Sequence, residues 1–335
     1  MKSYMTWLIL AAALVAAGCG PNAGYIIRPV SVNEELGEST VSRDPGFLVA
    51  DKIVVVEVEG LLMNNRSGGF LGAHENPVSL FVEKLDKAEK DPDVRALVLR
   101  INSPGGGVTA SDLMHRRLAQ FKSHKKVPVI AVIEDVGASG AYYIASGADA
   151  IVVAPTSITG SIGVIVQMFS LSGTMSMLGI TTKAITSGPM KDMASPFKPL
   201  DPADQKVLAA MVAEFYDRFV DVVAEGRPKL GRDGVRKLAD GRVYSGAQAV
   251  ADGLADSTGD VKDAVALAKK RCGTKAAKVV MYDRPWGYKA NVYSASPLGH
   301  MQVNLVNLSA PDIAAWLQPQ FLYLWTGDAG GAAAQ

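Results

Sequence analysis

Cysteine, histidine and unbalanced charge are all scarce in this chain, and each scarcity removes a class of protein. The 335 residues hold two cysteines, Cys19 and Cys272, so no disulfide framework is available and stability must come from a packed core. No C-x-x-C or H-E-x-x-H spacing occurs, and neither a metal site nor a cofactor is expected. The 34 Lys+Arg nearly cancel the 33 Asp+Glu, which leaves no basic footprint for nucleic acid. No uncharged apolar run reaches the roughly 18 to 20 residues that span a bilayer. What the chain does have is apolar matter: 48% of its residues, with a charged fraction of 20% and a mean hydropathy of +0.15. That balance excludes a disordered chain. Its length fits one large domain or two small ones.

Membrane contact is therefore expected at an end. Lys2 forms a short positive region, and residues 7–17 an apolar stretch too short to span. Ala16-Ala17-Gly18-Cys19 then leads small residues into a cysteine. An ordinary secretory signal also ends in small residues, and it remains the alternative. A cysteine directly after them resembles the bacterial lipoprotein signal, in which the thiol is diacylated and the chain is cut before it. The usual pattern has leucine three residues before the cysteine, where this chain has Ala16. The resemblance implies a signal peptide at 1–18, lipid on Cys19, and a location in the cell envelope outside the cytoplasm. Cys272, near the end of an amphipathic helix, reads as a packing residue.

Residues 19–50 are mixed and polar and read as a tether. From residue 53 strands and helices alternate. A continuous β-branched run at 53–58 suits a buried parallel strand. Helical spacing follows at 77–90, a strand at 96–101, a tight loop at 102–107 and a helix at 109–122. Next come a strand at 127–133, a small-residue helix at 139–146 and a strand at 150–154. Strands at 162–167 and 181–186 flank a short helix at 171–178. Asp201-Pro202 caps and starts the longest helix, which reaches residue 225. A further helix is expected at 261–270. The alternation implies an α/β fold with a mostly parallel sheet. The main domain is expected over 51–282, and 283–335, including an apolar 321–325 segment, as an irregular tail.

Two loops place glycine where a strand ends and a helix begins. Asn102-Ser103-Pro104-Gly105-Gly106-Gly107 would let backbone approach a ligand with its N–H groups outward. It lacks the Lys-Ser/Thr of a P-loop, and a glycine-rich turn without a ligand is the plainer reading. Gly137-Ala138-Ser139-Gly140-Ala141 offers an exposed hydroxyl among residues without bulk, as a nucleophile with a nearby oxyanion donor requires. A helix N-cap serine is the competing reading.

A serine nucleophile needs a base, and the four histidines suit poorly. His115 and His124 fall in or after a charged helix and are expected to be solvated. His74 lies in a polar loop. His300 lies where an α/β-hydrolase would keep its base, but the G-x-S-x-G elbow fails at Ala141. A lysine base works only where desolvation lowers its pKa from about 10.4 toward 7 to 8. Lys191, in Ser187-Gly188-Pro189-Met190-Lys191-Asp192, has the best setting, although it could equally be a loop lysine paired with Asp192.

Five motifs in order resemble the signal peptide peptidase SppA family of bacterial serine proteases, in its short single-repeat form. They are Asn-Ser-Pro-Gly-Gly-Gly at 102–107, Ala-Ser-Gly-Ala-Tyr-Tyr-Ile-Ala at 138–145, Thr-Gly-Ser-Ile-Gly-Val at 159–164, Ser-Gly-Pro-Met-Lys-Asp at 187–192 and Asp-Gly-Arg-Val-Tyr-Ser-Gly at 240–246. Ala141 departs from the family's second glycine. The resemblance implies Ser139 as nucleophile, Lys191 as general base, Ser161 orienting the lysine, and oxyanion donors on Gly106 and Gly140. It also implies a crotonase/ClpP-like spiral domain in a homo-oligomeric ring that cuts hydrophobic peptides, notably cleaved signal peptides, after small residues. Two rivals share the fold: an inactive membrane-tethered scaffold and a crotonase-type acyl-CoA enzyme.

Overall fold

In the computed structural model the described residues are 35–64, 75–284 and 319–326, with the backbone of 68–69 and 72–73. The elements in chain order are β1 (Gly37–Arg43), β2 (Lys52–Leu62), a minimal hairpin of β3 (Gly68–Gly69) and β4 (Gly72–Ala73), and α1 (Pro77–Lys90). Then come β5 (Val94–Gly107), α2 (Val108–Lys125), β6 (Val129–Ala138), α3 (Gly140–Ala145), β7 (Ala150–Val153), β8 (Ile158–Gly160), β9 (Ile165–Gln167) and α4 (Ser172–Met177). The rest are α5 (Pro202–Gly226), α6 (Gly231–Leu238), β10 (Val243–Ser245), α7 (Gly246–Ala251), β11 (Ser257–Thr258), α8 (Val261–Cys272), β12 (Lys278–Asp283) and β13 (Gln320–Leu324).

The main sheet runs β1-β12-β2-β5-β6-β7-β11, and every neighbouring pair from β12 to β11 is parallel. Both faces are covered, which explains the unbroken β-branched run in β2. Ile53 and Val55 point one way, to Val98, Val132 and the α8 residues Val261 and Ala264. Val54, Val56 and Val58 point the other way, into the larger cluster with Phe81, Leu118, Tyr142 and Phe219. Helix starts follow their caps. Asn76 accepts from the N–H of Val78 at 2.9 Å ahead of Pro77, and Asp201 accepts from that of Ala203 at 2.8 Å ahead of Pro202. Asp260 and Asp263 cap α8 reciprocally, and Gly273 ends it at φ +75°.

Several boundaries differ from the sequence reading. Part of the expected tether is β1, which pairs antiparallel with β12 at the sheet edge. Its solvent-facing side carries polar residues, so it shows no hydrophobic run. Part of the expected irregular tail is β13. Residues 102–107 stay extended as the end of β5, because Leu61 and Leu62 of β2 pair with Gly105 and Gly106. The strand expected at 181–186 is absent: those residues are exposed and no neighbouring strand pairs with them. Residues 1–18, with the expected signal, lie outside the described residues, as does Cys19. No helix among the described residues is long and apolar enough to cross a membrane.

A buried charge cluster ties α1 to three strands. Glu57 receives the Lys84 amine at 3.1 Å and the Arg100 guanidinium at 2.7 Å. Arg100 also meets Glu59 and stands 3.7 Å from Glu134. Burial pushes the Glu134 carboxyl above its usual range, opposed by Arg100. Arg100→Met should therefore lower unfolding free energy by about 3–5 kcal/mol in a denaturant titration, since it strands carboxylates in a dry setting.

Candidate active site

The strand ends bring the glycine motifs together. Ser139 follows β6 directly and adopts φ +52°, ψ −115°, a conformation rare for any residue but glycine. Such a backbone costs on the order of 1–3 kcal/mol and persists only where its surroundings impose it. They do so here. The N–H of Ser139 donates to the Gly160 carbonyl at 2.8 Å, Ala138 pairs with Gly160, and the Thr159 hydroxyl donates to the Gly137 carbonyl at 2.7 Å. Downstream, the Tyr142 hydroxyl donates to Leu254 O at 2.8 Å and that of Tyr143 to Asp112 at 2.7 Å. Burial pushes the Asp112 carboxyl up, but bonds from Tyr143 and Arg218 outweigh it and hold the group below its usual range. Ser139 occupies the N-cap position of α3, yet its side chain caps nothing. The simple capping reading fails.

The Ser139 N–H is taken by Gly160, so it is not free to receive a ligand. Gly140 opens α3, where an N–H has no intrahelical acceptor. The β5 glycines reach it across the cleft. A Cβ placed on Gly140 would stand 3.2 Å from the Gly106 N, and one on Gly105 would stand 2.7 Å from the Gly140 N. Gly105 takes φ +99°, and a Cβ on Gly106 would lie 2.0 Å from the Leu62 carbonyl oxygen. Both positions demand glycine. Ser103, which sequence reasoning passed over, shapes this loop: its hydroxyl donates to Gly60 O at 2.6 Å and accepts from the Gly105 N–H at 3.1 Å. A serine two residues before a glycine is the signal that could have found it. Ser111, also passed over, donates to Gly107 O at 3.0 Å.

Ser161 directly follows Gly160, whose carbonyl receives the Ser139 N–H, and adopts φ +49° with its own N–H donating to Arg242 O at 2.8 Å. The 240–246 motif thus holds the 159–164 motif. Beside Ser161 is a cavity of about 400 Å³, lined also by Tyr216, Asp240, Leu324 and Trp325. No hydrogen bond joins Lys191 to Ser139 or Ser161 among the described residues. The lysine is exposed on the 187–200 loop, and its amine has no hydrogen-bond partner among the described residues. Nor does it pair with Asp192, which receives Lys198 at 2.8 Å.

Of the histidines, His74 and His300 lie outside the described residues. His124 is exposed beside Glu89 at 3.0 Å, as expected. His115 corrects the expectation of a solvated ring: it packs edge-on against Tyr143 with centroids 5.2 Å apart. Burial, which outweighs nearby Asp112, pushes its pKa down to about 4. Its folded value lies below the unfolded one of about 6.5, so the unfolded chain takes the proton first on acidification. Stability should be complete above pH 6.5 and fall by at most about 3 kcal/mol as pH drops toward 4, at 1.36 kcal/mol per unit. His115→Gln should flatten that slope in pH-dependent denaturation. Cys272 is a free, half-buried thiol that packs against the α8 side of the sheet, as its helical position suggested.

A strained serine that caps nothing, at a strand-to-helix turn with glycine backbone close by in an α/β domain, has the form that nucleophilic catalysis requires. Residues 121–275 match the description "Peptidase family S49". A relative from Enterococcus faecium, provisionally named signal peptide peptidase SppA, is 36% identical over 231 residues, covering 69% of this chain and 67% of its own. Protease 4 of Salmonella typhi is 35% identical over 206 residues, 60% of this chain and 33% of that one. Among solved structures, a membrane-bound stomatin-specific protease with a substrate peptide aligns at TM-score 0.44 and 16% identity, over 66% of this chain and 81% of that one. The chain belongs to peptidase family S49, in the SppA group, and is a serine peptidase.

Proposed function

We propose that this protein is a membrane-anchored endopeptidase in which Ser139 attacks the peptide carbonyl, Lys191 takes its proton, and Ser161 orients the lysine. Gly106 and Gly140 stabilise the oxyanion, and the substrates are hydrophobic peptides such as cleaved signal peptides. The observation that carries this reading is Ser139 itself: backbone strain is retained, its side chain caps nothing, and Gly140, which follows it, lies close to the Gly105 and Gly106 backbone. A scaffold would have no use for that combination. An acyl-CoA enzyme of this fold would use the glycine donors without the serine.

Lys191 must lose its exposure to serve as base. Its surroundings support assembly as the means. Met177, Leu178, Ile185, Met190, Phe197 and Leu200 are exposed along the same part of the chain, with Ile185 97% exposed. Covering them in a homo-oligomer would remove apolar surface from water and dry the lysine loop. The anchor in this reading is lipid on Cys19, placing the catalytic domain on the outer side of a membrane. Labelling with a serine-reactive fluorophosphonate tests the core of the proposal. Wild type should label in a single site that Ser139→Ala abolishes, and labelling that survives the substitution would refute it.

A further inference from the structure

The 187–200 loop has a built shape, although Lys191 on it is exposed. Turns follow one another along it: the N–H of Lys191 donates to Gly188 O at 3.1 Å, that of Met193 to Met190 O at 3.2 Å, and that of Ser195 to Asp192 O at 3.1 Å. Within the last of them Ala194 is buried at φ +58°. A residue other than glycine keeps that conformation only where its surroundings impose it. The far end of the loop is tied to earlier chain. The Leu171 N–H donates to Pro196 O at 2.7 Å, and the Thr182 hydroxyl donates to Phe197 O at 3.2 Å.

A lysine side chain fastens this loop to α5. The Lys198 amine stands 2.8 Å from the Asp192 carboxylate and 3.1 Å from that of Asp204, in the first turn of the helix. Asp204 is only 2% exposed, so its charge is out of water with the Lys198 ammonium against it. An isolated surface ion pair contributes little, but a lysine bridging two carboxylates, one of them buried, is held in place. Bonds to Asp192 and Asp204 keep the Lys198 amine above its usual range, and the Lys198 bond keeps the Asp192 carboxyl below its own. The other charged groups on the loop, on the 180–186 segment packed against it and on the start of α5 are Lys191, Lys183, Asp201 and Lys206. The Asp201 carboxylate caps the helix by accepting from the Ala203 N–H.

Asp192 directly follows Lys191, so a carboxylate released from Lys198 has that exposed amine as its neighbour in the chain. An amine paired with a carboxylate stays an ammonium, which has no lone pair to take a proton from serine. We propose that Lys198 is a positioning residue for catalysis: it occupies Asp192, fastens it to α5 through Asp204, and so keeps that carboxylate from pairing with Lys191. The inference rests on Lys191 being the general base.

The test is the pH profile of kcat/KM for the full-length protein on a fluorogenic hydrophobic peptide, since its acidic limb reports the base of the free enzyme. A carboxylate beside an amine favours the charged form, so Lys198→Met should move that limb upward by about one pH unit, with kcat/KM about tenfold lower on its slope. Lys198→Arg still bridges both carboxylates and should keep the wild-type profile. Adding Asp192→Asn to Lys198→Met should return the limb to its wild-type position, a rescue that lost bracing alone would not allow. Should Lys198→Met fold poorly because Asp204 is left buried without a cation, Lys198→Met combined with Asp204→Asn removes that charge and should show the same upward shift. A limb that stays at the wild-type pH in these variants, or a shift that Asp192→Asn does not reverse, would overturn the role of Lys198. Wild-type activity in Lys191→Met would overturn the base instead, and the inference with it.

Discussion

Ser139→Ala is expected to lower kcat for peptide hydrolysis by about 10⁴-fold or more, with stability changed by less than about 1 kcal/mol. The two halves of that expectation have different origins. The rate falls because alanine has no hydroxyl to attack the carbonyl in the role proposed for Ser139. Stability holds because the Ser139 side chain makes no capping bond to lose, and alanine bears the same backbone strain. Lys191→Met should be as damaging to rate, and Lys191→Arg equally so, because a guanidinium stays protonated and cannot act as a base. The double variant of Ser139→Ala and Lys191→Met should be no slower than either alone, as groups acting in one step are not additive. Ser161→Ala should be milder, since it removes orientation and leaves the base. Steady-state kinetics on one peptide substrate checks all four. Wild-type rates from Lys191→Met would remove the lysine from the mechanism.

Gly105→Ala should be the most damaging change that touches no side-chain chemistry. Its φ of +99° strains any residue with a Cβ, and that carbon would lie 2.7 Å from the Gly140 N and 3.1 Å from the Ala138 carbonyl oxygen. Both obstacles are backbone, so no rotamer change relieves them. We expect a loss of about 3 kcal/mol in unfolding free energy, from left-handed strain and overpacking together. Activity should fall by a further factor of about 10²–10³, because moving the Gly140 N–H displaces an oxyanion donor. Gly188→Ala is the matched control: a Cβ there meets nothing within 4 Å, and its conformation needs no positive φ. Chemical denaturation and kcat measured on the same samples separate the two losses.

Most of the architecture was legible along the chain because it is written in local terms. The 53–58 run had to be buried on both faces, and Asn76-Pro77 and Asp201-Pro202 had to start helices whatever lay around them. The glycine loops were legible as places where backbone comes close to something. What they approach was not, since a glycine tolerates many conformations and names no partner. Ser139 illustrates the gap: in sequence a cap and a nucleophile look alike, and φ +52° with a side chain that caps nothing removes the first reading. His115 was misjudged for the same reason, as a charged helix in sequence still has one face turned to Tyr143.

The sequence alone therefore determined the fold class, the family and the candidate residues, through periodicity, caps and five ordered motifs. Tertiary structure decided which of them meet. It joined Gly106, Ser139, Gly140 and the 159–161 turn through parallel strand ends, left Lys191 exposed, and paired Gln320–Leu324 with the glycine end of β5 and with β9. The pairings of β1 with β12, β12 with β2 and β13 with β5 join segments more than 200 residues apart, and no local pattern encodes such a partner.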